Sequence, residues 1–257
     1  MNFKASVIIF AALVFFLDHP FSQAQTSKSS SFKHSILEVK IGKQVWMTKN
    51  LNLSRFKNGE LIPEAKTAEE WKCACEKGLP ACCYYEFKRK KHKKYGRLYN
   101  WYAVSDSRGL APNGWHIPDV SEWGHLSEFA GSRAGIMLKS SKGWYREKKN
   151  PTFKMICREM RGEDKYGFCA LGGGMIDPEG SFSAKSQFGY WWTSDQESLP
   201  NSIDFKMGTE KETVEKQKAV SEEQTVNAFY MEFFSGFLDR NNSLKGYGYS
   251  VRCVKKR

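Results

Sequence analysis

Beyond residue 17 the chain has no apolar run long enough to cross a bilayer, which takes about 20 residues, so no transmembrane segment is expected. Histidine is scarce. The five histidines, at 19, 34, 92, 116 and 125, form no cluster, and their spacing supports no Ser-His-Asp arrangement. Metal patterns are missing too. Cys73 and Cys75 are one residue apart, whereas zinc pairs use two to four, and no histidine lies within a turn of them. No D-x-D-x-D loop marks a calcium site. Gly172, Gly173 and Gly174 are not followed by Gly-Lys-Ser, which excludes a phosphate-cradling loop. These glycines read instead as positions for positive φ and close backbone approach. Acidic residues are the minority, 28 against 40 Lys and Arg, for a net charge of +12. Much of the excess lies in residues 88–94, Lys-Arg-Lys-Lys-His-Lys-Lys. That run has no interleaved aromatics for base stacking. No specific nucleic-acid partner is expected, and the run reads as a solvated loop with weak attraction to acidic surfaces.

What is present is a globular composition, 40% hydrophobic and 14% aromatic. The first 24 residues read as a signal peptide. Lys4 supplies the positive start, residues 7–17 are apolar throughout, and Ser22-Gln23-Ala24 is a small-x-small cleavage site. Cleavage is expected after Ala24, giving a secreted or cell-surface protein. The first cysteine is Cys73, too distant from that site for a lipid anchor. Residues 25–35, rich in Ser and Lys, read as a flexible leader. Export allows the seven cysteines to pair, with one left over. Cys157 and Cys169 flank a charged stretch and could pair locally.

Residues 114–131, GWHIPDVSEWGHLSEFAG, are the strongest local signal. Trp115 and Ile117 alternate with His116 as in a half-buried strand. Asp119 and Glu122 form a capping box, and Val120, Trp123, Leu126 and Phe129 recur along one helical face. Gly131 stops the helix. Elsewhere, apolar segments around Gly42-Lys43 predict a hairpin. Thr67 with Glu70 starts a short helix. Residues 135–144 read as a strand entering a turn, and residues 146–166 as charged and without periodicity. Asp177-Pro178-Glu179-Gly180 reads as a hairpin turn, and Trp191 and Trp192 as opposite faces of a strand. Residues 228–233 read as a strand, 239–242 as a turn and 247–254 as the final strand. About 199–225 reads as a solvated charged insertion. The expected fold class is a single α+β domain over residues 36–257 with much irregular loop.

The motif G-W-H-x-P-x-x-x-E-W over residues 114–123 resembles the Fibrobacter succinogenes major paralogous domain, a bacterial extracellular family. Further matches follow in that family's order: residues 41–52 (IGKQVWMTKNLN), 95–104 (YGRLYNWYAV), 108–112 (RGLAP), 172–174, 189–194 (GYWWTS) and 250–254 (SVRCV). The resemblance implies a C-type-lectin-like fold close to the sulfatase-modifying branch, with antiparallel strands and short helices. It also implies a helix at 98–104, and a Cys83–Cys253 bridge that would close most of the chain and contribute roughly 5 kcal/mol in the chain-entropy model.

The sulfatase-modifying relatives use a close cysteine pair shortly before the end. This chain has no cysteine between Cys169 and Cys253, so no enzyme is expected. A secreted binding domain is the leading expectation, for a glycan or another surface ligand. The alternative is an adhesive or structural protein that binds another protein. Candidate ligand residues are Trp192, Thr193, Ser194 and Asp195 with Asp239, Arg240, Asn241 and Asn242. Together they offer a ring, carboxylates, amides and a cation for a polar ligand. No cofactor is expected, although Asp195, Asp239 and Asn241 could give oxygens to calcium.

Overall fold

In the computed structural model, residues 36–195 and 225–256 are described. The signal peptide, the leader and nearly all of the 199–225 insertion lie outside them. The described chain is an α+β domain of small antiparallel sheets and short helices. Strands β1 (Glu38–Ile41) and β2 (Gln44–Met47) form the expected hairpin, with Gly42 at φ +59 in the turn. Helix α1 (Ala68–Glu76) is capped by Thr67, which accepts from the Glu70 amide. Strand β3 (Cys82–Cys83) pairs with β4 (Leu98–Tyr99). Between them, helix α2 (Arg89–His92) and a 3-10 turn carry the basic run. Its cations are exposed, while His92 is buried.

The 98–104 segment is not one helix. After β4 comes Asn100, whose Oδ1 accepts from Ala103 and Ala81 amides and so starts the short helix α3 (Trp101–Val104). Strand β5 (Trp115–His116) leads into α4 (Val120–Ala130), where the Asp119–Glu122 capping box is fully formed. Trp123 and Leu126 are buried, but Phe129 at the end of the stripe is 51% exposed. The expected strand at 135–144 is instead α5 (Ala134–Leu138), closed by hydrogen bonds from Ile136 and Met137 to the Arg133 carbonyl. The charged stretch hides a further helix, α6 (Pro151–Glu159). Asn150 caps it by accepting from the Phe153 amide, and Pro151 sits in its first turn, where no N–H is needed.

Strands β6 (Met175–Ile176) and β7 (Phe182–Ser183) flank the predicted 177–180 turn. Gly174 before it has φ +68, and a Cβ there would lie 2.5 Å from the Ser183 carbonyl. Strands β8 (Phe188–Trp192), β9 (Thr225–Glu232) and β10 (Asp239–Leu244) form an antiparallel sheet with β9 central. Residues 239–242 are therefore a strand, not a turn. Their turn-like composition is overridden by pairing with β9 in register Asp239 to Tyr230 through Leu244 to Thr225.

The expected final strand is broken. Only β11 (Val254–Lys255) is regular, joining β2 and β5 in the four-stranded sheet β1-β2-β11-β5. Its preceding residues cross from sheet to sheet. Gly248 bridges Ile176, Tyr249 bridges Tyr99 and Ser250 bridges Trp191. This segment ties all four sheets together.

At the seam lies a buried polar hub. Asn50 Oδ1 accepts from Trp191 Nε1 at 2.9 Å and from Arg252 Nη2 at 2.7 Å and Nε at 3.2 Å. Asn50 Nδ2 donates to the Tyr95 carbonyl at 2.9 Å and to Ser250 Oγ at 3.1 Å. Arg252 is fully buried; its Nη1 donates to the Phe168 carbonyl, and its guanidinium lies 4.4 Å from the Phe168 ring centre. Around the hub, one apolar cluster holds Trp46, Trp123, Phe168 and Trp191, and another holds Trp101, Trp192, Val251 and Cys253. The two adjacent tryptophans thus serve opposite faces of β8, as expected, and both are fully buried.

All seven cysteines are free. Cys83 packs with Trp71, Leu98 and Ile176, whereas Cys253 lies in the cluster that takes Cys82, on the opposite face of β3. The implied Cys83–Cys253 bridge is absent because those side chains line different clusters. The Cys157–Cys169 pair is also absent. Cys157 is buried on α6, and the Cys169 thiol donates to Asp164 Oδ2 at 2.9 Å.

A second buried cation, Lys139, donates through Nζ to the Glu232 and Ser235 carbonyls, both at 2.7 Å. Burial pushes its pKa down to about 8.

Two outcomes are expected. Asn50→Ala strands the buried guanidinium and should cost about 3–5 kcal/mol, read from the denaturant midpoint. Lys139 binds fewer protons folded than unfolded between about pH 8 and its ordinary value of 10.5. Its contribution to stability therefore rises with pH across that window. Lys139→Met should be less stable than the parent, with a deficit that widens by up to roughly 3 kcal/mol from pH 8 to 10. A constant deficit in paired melting curves would contradict this.

Candidate functional site

The eight residues singled out in the sequence divide into two groups. The first group is structural. Trp192 is fully buried between Trp101 and Tyr249, and its Nε1 donates to the Tyr99 carbonyl at 2.7 Å. Thr193 is buried and its hydroxyl donates to the Asn227 carbonyl. Ser194 is exposed, but its amide donates to the Pro118 carbonyl. Asp195 Oδ2 accepts from the Val120 amide at 2.8 Å, at the first turn of α4. Residues 192–195 therefore dock the end of β8 onto the start of α4.

The second group lies on β10. The register places Asp239, Asn241 and Ser243 on the face shared with Tyr190 and Tyr230, and Arg240 and Asn242 on alternate positions. Trp192 and Asn241 both pair with Ala228 from opposite sides of β9. From that level the chain runs one way toward Asp195, while Asp239 lies the other way. The oxygens suggested for calcium are not brought together. Among the described residues no group of three or more His, Cys, Asp or Glu could hold a metal ion.

Asn241 and Asn242 do meet other residues in a groove of about 330 Å3. Its apolar wall is a set of tyrosines. Tyr190 stacks on Tyr249 at 4.7 Å between ring centres, and Tyr247 stacks on Tyr249 at 5.7 Å. Tyr249 is buried, whereas Tyr190 and Tyr247 keep part of their rings exposed. Phe188 continues the stack beyond Tyr190 at 5.6 Å. The polar wall is Asn241, Asn242, Ser243 and Thr225. Asn241 Nδ2 donates to Ser243 Oγ at 3.0 Å, and Ser243 Oγ lies 3.0 Å from the Tyr249 hydroxyl. That chain fixes the amide against the rings. Burial raises the Tyr190 hydroxyl to about 12 and lifts the carboxyls of Asp239 and Glu232 above their ordinary values. The Asp239 charge adds to the shift at Glu232. The groove is therefore a neutral aromatic and amide surface with acidic groups beside it.

Sequence reasoning missed the tyrosines. Phe188, Tyr190 and Trp192 alternate along one face of a strand, and that period was the available signal.

Residues 39–255 match the family described as the Fibrobacter succinogenes major domain. The chain belongs to this family. The hub and the groove are thus both parts of a major domain, and the motifs that carry the resemblance converge on the hub. No curated protein and no solved structure matches the chain. Among the described residues no helix is long and apolar enough to cross a membrane.

Because Asp195 acts as a cap from outside the helix, Asp195→Ala should lower stability by about 1 kcal/mol. Ligand binding at the tyrosine groove should be unchanged. A melting curve and a binding titration on the same sample separate the two effects.

Proposed function

We propose that this major domain is an exported, non-catalytic binding module with a lectin-like fold, and that a glycan lies in the tyrosine groove. The observation that carries the reading is the pairing of half-exposed, stacked tyrosines with amides on a rigid strand. Sugar rings present C–H faces that pack on aromatic rings, and hydroxyls that both donate and accept. Asn241 can do both through its side-chain amide. A groove of about 330 Å3 suits one sugar unit of a longer chain and lies at the low end of small-molecule sites, roughly 300–1,000 Å3. The tyrosines reach the groove with few rotatable bonds, so little side-chain entropy is lost on binding.

A binding role also fits the thiols. Burial raises Cys75 and Cys169 to about 11 and Cys82 and Cys253 to about 12. A thiolate nucleophile needs the opposite shift. Adhesion to another protein is the second reading. Among the described residues β10 pairs only with β9, so its outer edge can accept a strand from a partner.

The test is a glycan array probed with the full mature chain. Tyr247→Ala and Asn241→Ala should each weaken binding by about tenfold or more, equivalent to about 1.4 kcal/mol. Binding that survives both changes would remove the groove from consideration. Silence across the array would move the reading to a protein partner, with capture expected to depend on β10.

A further inference from the structure

Helix α6 stands over a cavity of about 230 Å3 on another part of the domain, sharing no residue with the tyrosine groove. Its chemistry is divided. The apolar side is Trp144, Met160 and Phe233. Phe233 is held edge-on by Tyr145 at 5.0 Å and Phe153 at 5.7 Å. Trp144 donates through Nε1 to the Ala170 carbonyl at 3.0 Å, so its polar atom is already used.

The charged side is Arg146, Lys154, Arg158 and Arg161. Lys154 and Arg158 are one helical turn apart on α6, and Arg161 follows just beyond its end. Like charges at that spacing repel and destabilise a helix slightly. The repulsion is not relieved by an ion pair among the described residues. None of the four cations forms an ion pair among the described residues. Among the described residues Glu147 is the one carboxylate lining the cavity, and its oxygens already accept from the Tyr145 hydroxyl at 2.9 Å and from the Lys148 and Lys149 amides at 2.7 Å.

We propose that this cavity binds a small amphiphilic anion: a single aromatic ring or short alkyl chain carrying a phosphate, sulfate or carboxylate. The anionic end faces Arg158 and Arg161, whose guanidinium forks match such oxygens in pairs. The apolar end packs on Trp144 and Phe233. The volume limits the occupant, since drug-sized ligands fill roughly 300–1,000 Å3.

Calorimetric titration of the full mature chain with phenyl phosphate tests this, with inorganic phosphate and benzyl alcohol as the two half-probes. Phenyl phosphate should bind at least about tenfold more tightly than either half, equivalent to about 1.4 kcal/mol or more. The double variant Arg158→Gln, Arg161→Gln should lose about tenfold or more in affinity. A control double variant in the basic run, Lys90→Gln with Lys91→Gln, should bind as the parent does. All four substituted side chains are exposed, and circular dichroism of each variant checks the fold. Phenyl phosphate binding no tighter than inorganic phosphate would overturn the proposal. So would an equal loss in both double variants, which would show attraction to net charge alone.

Discussion

A single carboxamide oxygen carries the architecture. Asn50 Oδ1 accepts hydrogen bonds from the Trp191 indole and from two nitrogens of Arg252. These three residues come from three separate motifs, far apart in sequence. Among the described residues the guanidinium pairs directly with no carboxylate; it is held by neutral oxygens and by the Phe168 ring. Burying a charge without a counter-ion is costly unless its hydrogen bonds are met. That requirement makes the hub unforgiving of position. Strand β8, the loop after β2 and the segment before β11 must all arrive in register before the charge can leave water.

Local signals in the sequence were legible where the interaction is local. The Asp119–Glu122 box, the Thr67 cap and the Gly42 turn each depend on residues within one turn of one another. Elements set by distant partners were not legible. Residues 239–242 have turn composition, yet β9 recruits them as an edge strand. Residues 136–138 are an unbroken apolar run that suits a buried strand as well as a helix, but the chain turns helical, with Ile136 and Met137 donating to the Arg133 carbonyl. In α6 the dense charge concealed an ordinary Asn-Pro helix start.

The candidate site divides the same way. Asn241 and Asn242 were visible as polar residues in a plausible ligand segment. Trp192 and Asp195 were equally visible, but one is core and the other caps a helix. Residue type alone does not separate a side chain that meets a ligand from one that meets its own backbone. What distinguishes the groove is a stack of half-exposed rings beside an amide fixed through Ser243, and the stack joins residues from β8 and from the crossing segment 247–249. The family resemblance identified the domain, whereas the groove emerges only from strand register.

The crossing segment also sets an order of events. Residues 248–255 bridge strands that precede them by as much as the distance from Trp46 to Val254. Contacts of such long range make folding slow, because the loop must close before they can repay its entropy. Until that segment has emerged, the sheets have no common seam and Arg252 has no partner. A chain of this design closes its seam last, because the residues that join its sheets are among the final ones in the sequence.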